Sequence, residues 1–209
     1  GPPGCRGLRG VGGVSSGESS GPDIPPLSKY VPPVRPAMRD FASDPPVEER
    51  VGEALRSADA TVALAESCTG GLAASLLTDV SGSSDYLDRS LVTYSNDAKQ
   101  DLLAVSREAL DAHGAVSEPV ARQMARGVRD TAGTTWGVST TGIAGPTGGT
   151  DEKPVGTVFV GVAYGGPWDS GTSSAAVERY RFEGDRLQNK ERFARTALED
   201  LLDGIRDRH

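Results

Sequence analysis

Six consecutive residues, ESCTGG from Glu66 to Gly71, are the first in the sequence whose types and spacing could do chemistry. They follow the apolar run TVALA, which is typical of a buried strand, and they lead into GLAASLLTD, which is typical of a helix. A turn between a strand and a helix would let Ser67 project from the bend. It would also leave the first N–H groups of the helix free to bind an anion. Helix capping is the ordinary alternative, because serine, threonine and glycine are common in turns and at helix starts.

Two further polar clusters also follow predicted strands. One is TYSNDAK, from Thr93 to Lys99, and the other is a glycine-rich run at residues 140–149 that continues to KPVG at residues 153–156. In open α/β sheets, ligand sites assemble at the ends of the strands. Three polar clusters in such places therefore predict one pocket.

Metal and dinucleotide chemistry are not expected. The sequence has two histidines, His113 and His209, and no cysteine or histidine pair at the spacing of metal ligands. The turn at Ser67 has neither the G-x-G-x-x-G pattern nor that of a Walker loop. No acidic cluster at motif spacing supports a magnesium site. We therefore expect a site with no metal and no cofactor.

Hydrophobic patterns define the elements that must position these clusters. Strands interleave with helices, which predicts a three-layer α/β/α domain. The last two strands follow one another without a helix, which favours a mixed, mainly parallel sheet. The predicted helices are residues 47–58, 70–78, 96–103, 107–112, 118–132 and 187–205, and the predicted strands are residues 61–66, 91–95, 136–141, 157–164 and 177–182.

The composition is that of an acidic protein without a membrane span. The net charge of −7 disfavours general binding to nucleic acid phosphates, and no run of about 18 apolar residues is present to cross a membrane. Two cysteines, Cys5 and Cys68, form no disulfide framework, so we expect a reducing compartment and a cytoplasmic protein. Four lysines accompany 18 arginines, and the acid-rich surface would suit a high-salt cytoplasm.

Residues 1–37 differ from the rest of the chain. They are rich in glycine, proline and serine and have no hydrophobic period, so they are predicted to form a disordered leader. They lack the apolar segment of a secretory signal. The composition changes at Met38, and we take residues 38–209 as the folded domain.

Five motifs in a fixed order carry a family resemblance: ESCTGG, TYSNDAK, HGAVSEP, TGIAGPTGG and KPVGTV. Together they closely resemble the CinA carboxy-terminal domain family, from about Val47 to the C-terminus. Stand-alone members of that family are nicotinamide-nucleotide amidases, so the resemblance implies hydrolysis of a carboxamide. Two features depart from the family pattern. Residues 89–91 replace two glycines and an aliphatic residue, and the loop at residues 165–175 is long and could alter the rim of the site.

Amide hydrolysis needs a nucleophile, a base and donors for the tetrahedral oxyanion. The resemblance favours Ser67 as the nucleophile. Because histidine is scarce, Lys99 is the candidate base, and Tyr94, five positions earlier at a strand end, could relay or orient the proton. Lys99 can serve only if burial or a nearby cation lowers its pKa, and a solvated helix lysine is the ordinary alternative. The expected oxyanion donors are the backbone N–H groups around Thr69, Gly70 and Gly71.

Two other side chains compete for these roles. Cys68 is the rival nucleophile, since a thiol is intrinsically more reactive, but only one of Ser67 and Cys68 is expected to face the pocket. His113 could pair with Ser67, but it follows a short helix and precedes Gly114, which favours a structural role at the helix end.

The resemblance also implies contacts to the ribose and phosphate of a nucleotide. Gly142 and Gly145 offer backbone that can approach a ligand closely, although each alone could equally belong to a surface loop. Arginine suits bidentate recognition of phosphate, which favours Arg186. Ser84 and Thr141 complete the expected substrate-binding set.

These expectations describe a cytoplasmic amidohydrolase that converts nicotinamide mononucleotide to nicotinic acid mononucleotide and ammonia in pyridine-nucleotide recycling. Its partners would be this nucleotide and further copies of the chain in a homo-oligomer, a dimer, with no nucleic acid and no membrane. Two alternatives stay open: a non-catalytic nucleotide-binding or regulatory module, and an amidase for another carboxamide. A pure binding module would not require Ser67, Tyr94 and Lys99 together.

Overall fold

The backbone forms a five-stranded sheet with helices on both faces. The structure, a computed structural model, describes residues 40–208, so the predicted disorder of residues 1–37 lies outside the described residues. The strands are β1 Val62–Glu66, β2 Leu87–Val92, β3 Trp136–Gly142, β4 Thr157–Tyr164 and β5 Ser174–Arg181. The helices are α1 Val47–Ser57, α2 Leu72–Thr78, α3 Asn96–Leu103, α4 Arg107–His113, α5 Glu118–Ala132 and α6 Arg186–Arg206, with a short 3-10 turn at Ser83–Asp85.

The strand order is β2-β1-β3-β4-β5. β1 is parallel to β2 and to β3, whereas β4 is antiparallel to both of its neighbours, β3 and β5. The predicted α/β/α fold with a mixed sheet is therefore confirmed. This order brings the carboxyl ends of β1, β2, β3 and β5 to the same edge of the sheet, which we call the carboxyl edge.

Helices α1, α2 and α6 share a core with one face of the sheet, and α3, α4 and α5 share a core with the other. All five residues of β1 are buried, as expected for a strand covered on both faces. Helix α5 approaches the sheet closely, because a Cβ at Gly137 of β3 would lie 2.2 Å from the carbonyl oxygen of Ala125. Glycine at this position therefore permits the packing. No helix within residues 40–208 is long and apolar enough to cross a membrane.

Two edge strands differ from their predicted positions. β2 ends at Val92, so it lies earlier than the strand predicted at residues 91–95, and β5 begins at Ser174, earlier than the predicted residue 177. Edge strands bury only part of their side chains, and their hydrophobic pattern is correspondingly weak. Residues 93–95 connect β2 to α3 instead, and Ser95 caps α3 by accepting a hydrogen bond from the N–H of Ala98.

Candidate active site

The three polar clusters meet at the carboxyl edge of the sheet. The N–H of Ser67 donates to the carbonyl of Thr140 at 3.0 Å, and the N–H of Thr93 donates to the carbonyl of Glu66 at 2.8 Å. These bonds continue the pairing of β1 with its two neighbours beyond the end of the strand. A cavity of about 290 Å³ opens there. Seven residues predicted for the site line it: Ser67, Tyr94, Lys99, Thr141, Gly142, Gly145 and Arg186.

Lys99 lies in the wall of this cavity and is only 1% exposed. Its Nζ is 3.2 Å from Oγ of Ser67, 2.7 Å from the carbonyl oxygen of Thr93 and 3.4 Å from that of Tyr94. Burial lowers the pKa of Lys99 below its ordinary value, and the neighbouring Cys68 thiol partly opposes this shift. Desolvation is thus the cause that favours a neutral amine.

The three oxygens around Nζ suit either protonation state of Lys99. An ammonium donates to all three, whereas a neutral amine has two N–H donors and one lone pair. The carbonyls of Thr93 and Tyr94 have no proton to give, so they can pair only with the two N–H donors. The lone pair then faces the hydroxyl of Ser67, which can donate its proton. A general base needs this arrangement toward a serine nucleophile.

Replacing Lys99 by methionine should change how stability depends on pH. Because the folded-state pKa of Lys99 is lowered, the unfolded chain binds this proton more tightly between the lowered pKa and ~10.4. The free energy of unfolding of the wild type therefore gains a contribution that increases as the pH rises through this window. The methionine variant lacks this contribution, so the free energy of unfolding of the wild type should increase relative to that of the variant as the pH rises toward ~10.4. Urea unfolding across this range checks the prediction, and parallel pH profiles would contradict it.

Arg186, the first residue of α6, links two other residues at the rim of the cavity. Its Nη1 donates to the carbonyl of Gly145 at 2.7 Å, and its Nη2 donates to Oη of Tyr94 at 3.3 Å. The Tyr94 side chain is 64% exposed, and it is the carbonyl of this residue, not the hydroxyl, that contacts Lys99. The arrangement therefore favours an orienting role for Tyr94 at the rim over a direct relay of the proton.

The sequence patterns did not assign a role to Glu66. In the structure, its carboxylate organises the turn that carries Ser67. Its side chain is 1% exposed. Five donors surround it at 2.6–3.1 Å: the hydroxyls of Thr69 and Ser90 and the N–H groups of Gly71, Ala73 and Ala74. A carboxylate at this place satisfies the first N–H groups of α2 and is stabilised by the helix dipole. A glutamate at the end of a buried strand could have indicated this role, because a buried charged side chain is almost always paired.

The pairing of Glu66 corrects the expected set of oxyanion donors. The N–H of Gly71 donates to Glu66, and the N–H of Gly70 donates to the carbonyl of Ser67, so neither is free. The Thr69 hydroxyl is buried against Glu66 and Thr140. Within residues 40–208, two N–H groups of this turn donate to no protein oxygen: that of Thr69, and that of Cys68, which contacts only the sulfur of its own side chain. These two are the donors that remain for an oxyanion.

Cys68 is disfavoured as the nucleophile. The residue is 7% exposed and belongs to the core beside α2 and α6. Burial raises the pKa of its thiol to about 12, while a hydrogen bond with Thr140 opposes the shift. A thiol with that pKa is protonated near neutral pH, and the thiolate is the reactive form. Both Ser67 and Cys68 line the cavity, contrary to the expectation that only one of them would face it, and the raised pKa of the thiol favours Ser67 as the nucleophile.

Thr141 and Gly145 lie where the sequence placed them, at the glycine-rich wall of the cavity. The hydroxyl of Thr141 donates to the carbonyl of Ala115 at 2.7 Å, so its oxygen still offers lone pairs to a ligand. Gly145 has φ +94°, and a Cβ there would lie 2.6 Å from Cγ1 of Val155. Only glycine allows the wall to pack in this way.

The structure contradicts two expectations: that Ser84 belongs to the substrate-binding set and that the loop at residues 165–175 could alter the rim of the site. Ser84 is exposed in the 3-10 turn before β2, at the amino end of that strand. The long loop follows Tyr164, which pairs with Trp136, the first residue of β3. Both features lie at the edge opposite the carboxyl edge, so Ser84 does not reach the cavity and the loop does not form its rim. Spacing along the chain does not reveal which edge a residue reaches, because the edge depends on the direction of each strand.

The segment between α4 and α5 supplies lining residues that sequence reasoning did not assign. Ala115 and Val116 contribute to the cavity, and they belong to the HGAVSEP motif. The motif could have indicated in the sequence that this segment contributes to the site. His113 is exposed at the end of α4, and its carbonyl accepts a hydrogen bond from Nζ of Lys153 at 2.8 Å, which fits a structural role.

The fold and the cavity define a three-layer α/β/α protein with a serine–lysine pair at the carboxyl edge of its sheet. Residues 44–205 match the family model of the CinA C-terminal domain, and the chain belongs to this family. The predicted family resemblance is therefore confirmed.

Relatives and solved structures agree with this assignment. The CinA-like protein of Salinibacter ruber is 56% identical over 174 residues, which cover 80% of this chain and 40% of the relative. That of Chlorobium limicola is 52% identical over 157 residues, which cover 75% of this chain and 36% of the relative. The chain thus spans less than half of the length of these two relatives.

Among solved structures, the competence/damage inducible protein CihA from Agrobacterium tumefaciens is 39% identical, with a TM-score of 0.69 over 75% of this chain and 94% of that one. A CinA superfamily protein from Klebsiella pneumoniae is 32% identical, with a TM-score of 0.71 over 77% of this chain and 96% of that one. Both likenesses cover nearly the whole of the solved chains.

Proposed function

We propose that the protein is a serine–lysine amidohydrolase that converts nicotinamide mononucleotide to nicotinic acid mononucleotide and ammonia. The observation that carries the chemistry is the contact between Lys99 and Ser67, with Nζ 3.2 Å from Oγ and two carbonyls beside the amine. The substrate is supported by the family resemblance of the motifs around the cavity. Apolar Val116 and Ile143 in its wall suit a pyridine ring, and the guanidinium of Arg186 suits a phosphate.

The reaction begins when Lys99 takes the proton of Ser67 as Oγ attacks the carboxamide carbon. The N–H groups of Cys68 and Thr69 donate to the oxyanion that forms. Collapse of the tetrahedral intermediate breaks the C–N bond, and Lys99 gives the proton to the leaving nitrogen, which departs as ammonia. Water then attacks the ester with Lys99 again as the base. The second collapse returns the proton from Lys99 to Ser67 and releases the carboxylic acid, which loses its own proton to water to give the carboxylate.

An ammonia-release assay on a panel of carboxamides tests this proposal. The panel contains nicotinamide mononucleotide, nicotinamide riboside, free nicotinamide and glutamine, and we expect the fastest release from the mononucleotide. Faster release from glutamine would assign an amidase of another specificity. Nucleotide binding without ammonia release from any compound would favour the non-catalytic binding module.

Treatment with EDTA is expected to leave the rate of ammonia release unchanged. The proposed chemistry uses only an amine, a hydroxyl and backbone donors, and no group of three or more His, Cys, Asp or Glu side chains within residues 40–208 could hold a metal ion. The check is the rate before and after extensive chelation, and after addition of Mg²⁺ or Zn²⁺. A loss of activity that either ion restores would overturn a metal-free mechanism.

A further inference from the structure

Lys190 lies over the turn that carries Ser67. It follows Arg186 by one turn of α6, so the two cations share a face of that helix. Nζ of Lys190 is 3.6 Å from the position that a Cβ would take at Gly70. Gly70 in turn donates its N–H to the carbonyl of Ser67. Helix α6 therefore presents one cation at the cavity and a second beside the turn of the nucleophile.

Neither cation has an acidic partner in the part of the chain that the structure describes. Within residues 40–208, no carboxylate forms an ion pair with Arg186 or Lys190, although the chain has 29 acidic residues against 22 lysines and arginines. The acids beside them in the sequence are occupied, since Asp185 caps α6 and Glu191 pairs with Arg195. Two adjacent cations without counter-charge in an acidic chain leave a place for an anion.

The backbone at Gly70 keeps that place open. Gly70 is exposed and has φ +62°, so it takes a left-handed conformation that glycine favours. A side chain here would occupy the space between Lys190 and the turn. Arg186 already uses Nη1 and Nη2 to bind Gly145 and Tyr94, whereas the three donors of Lys190 engage no acceptor within residues 40–208.

We propose that Lys190, together with Arg186, binds the phosphate of the substrate. The site would then select a nucleotide over the corresponding nucleoside, which has no phosphate. This inference rests on the proposed function and deepens it. Arg186 supplies a guanidinium fixed by two hydrogen bonds, and Lys190 supplies a compact point charge that can follow a dianion. Lys190 is then a specificity-determining residue, because it acts on the phosphate and not on the amide.

Binding to the Ser67→Ala protein, with and without Lys190→Gln, tests the inference independently of turnover. Calorimetry with nicotinamide mononucleotide, nicotinamide riboside and inorganic phosphate gives the affinities. We expect Lys190→Gln to weaken binding of the mononucleotide about tenfold, the size of one charge-assisted contact, and to leave the riboside unchanged. Lys190→Arg should retain most of the affinity. Arg206→Gln, which removes the same charge from the far end of α6, is the matched control and should change neither affinity.

Each outcome decides for or against the phosphate site. Unchanged affinity for the mononucleotide in Lys190→Gln would overturn it, as would an equal loss for mononucleotide and riboside, which would indicate support of the turn. Failure of the Ser67→Ala protein to bind either the mononucleotide or inorganic phosphate would also overturn it. If the wild type releases no ammonia but Lys190→Gln still loses affinity for the mononucleotide alone, the proposed function fails and the phosphate site stands.

Discussion

Replacing Ser67 by alanine is expected to lower kcat/KM for ammonia release by at least ~10³-fold while leaving nucleotide binding nearly unchanged. Among the residues that the structure describes, the substitution removes the only side-chain oxygen that contacts Nζ of Lys99, and it removes little volume from a half-buried position. Folding should be preserved, because Ser67 is held by its backbone bond to Thr140. Steady-state kinetics, calorimetry of nucleotide binding and thermal unfolding together separate loss of chemistry from loss of structure.

Cys68→Ala is the matched control for this experiment. Its buried thiol is protonated near neutral pH, so its removal should cost some stability through lost packing but should retain most of the activity. Ammonia release close to that of the wild type in Ser67→Ala, together with an inactive Cys68→Ala, would transfer the nucleophile to Cys68.

Lys99→Arg is expected to be nearly as inactive as Lys99→Ala, with kcat/KM reduced by about 10³-fold or more in both. Arginine keeps the positive charge, but its guanidinium stays protonated and cannot accept the proton of Ser67. Its guanidinium is also too large for the place of Nζ among the three oxygens of Ser67, Thr93 and Tyr94. An arginine variant that retains most of the activity would show that Lys99 acts only through its charge.

The pH dependence of the wild type gives a second test of Lys99 as the base. An ordinary lysine with a pKa of ~10.4 is neutral in only a few molecules per ten thousand at pH 7. Burial lowers the pKa of Lys99, so the neutral, active form should accumulate as the pH rises. The rate profile should therefore show kcat/KM increasing along a limb that ends below the ordinary lysine pKa of ~10.4. A profile that is flat from pH 6 to pH 9 would argue against an amine base.

Much of the fold and the centre of the site could be predicted from local sequence. Buried β1 and the long amphipathic helices have strong periodicity, and their predicted bounds lie within a few residues of the observed ones. Ser67, Tyr94 and Lys99 each follow a strand, and parallel neighbours β1 and β2 end at the same edge. A strand-end rule therefore suffices to bring these three together.

The remaining parts depend on pairings that a single segment does not contain. Whether the N–H of Gly71 is free depends on Glu66, whose side chain turns back over α2. Whether Ser84 reaches the cavity depends on the direction of β2 relative to β1, because a residue before a parallel strand lies at the opposite edge. Burial of Lys99 likewise follows from tertiary packing, since its own helix shows only weak amphipathicity.

The buried carboxylate of Glu66 also bears on how loss-of-function variants are interpreted. Its side chain lines no part of the cavity, yet it ties the end of β1, the turn of Ser67 and the start of α2 through five hydrogen bonds. An uncharged amide in its place would set its NH₂ group against backbone donors, so rate and thermostability would decline together. Genetic screens would rank this position beside the nucleophile. A glutamate found in that way would invite assignment as an acid or base, although the proposed mechanism gives it no proton to transfer.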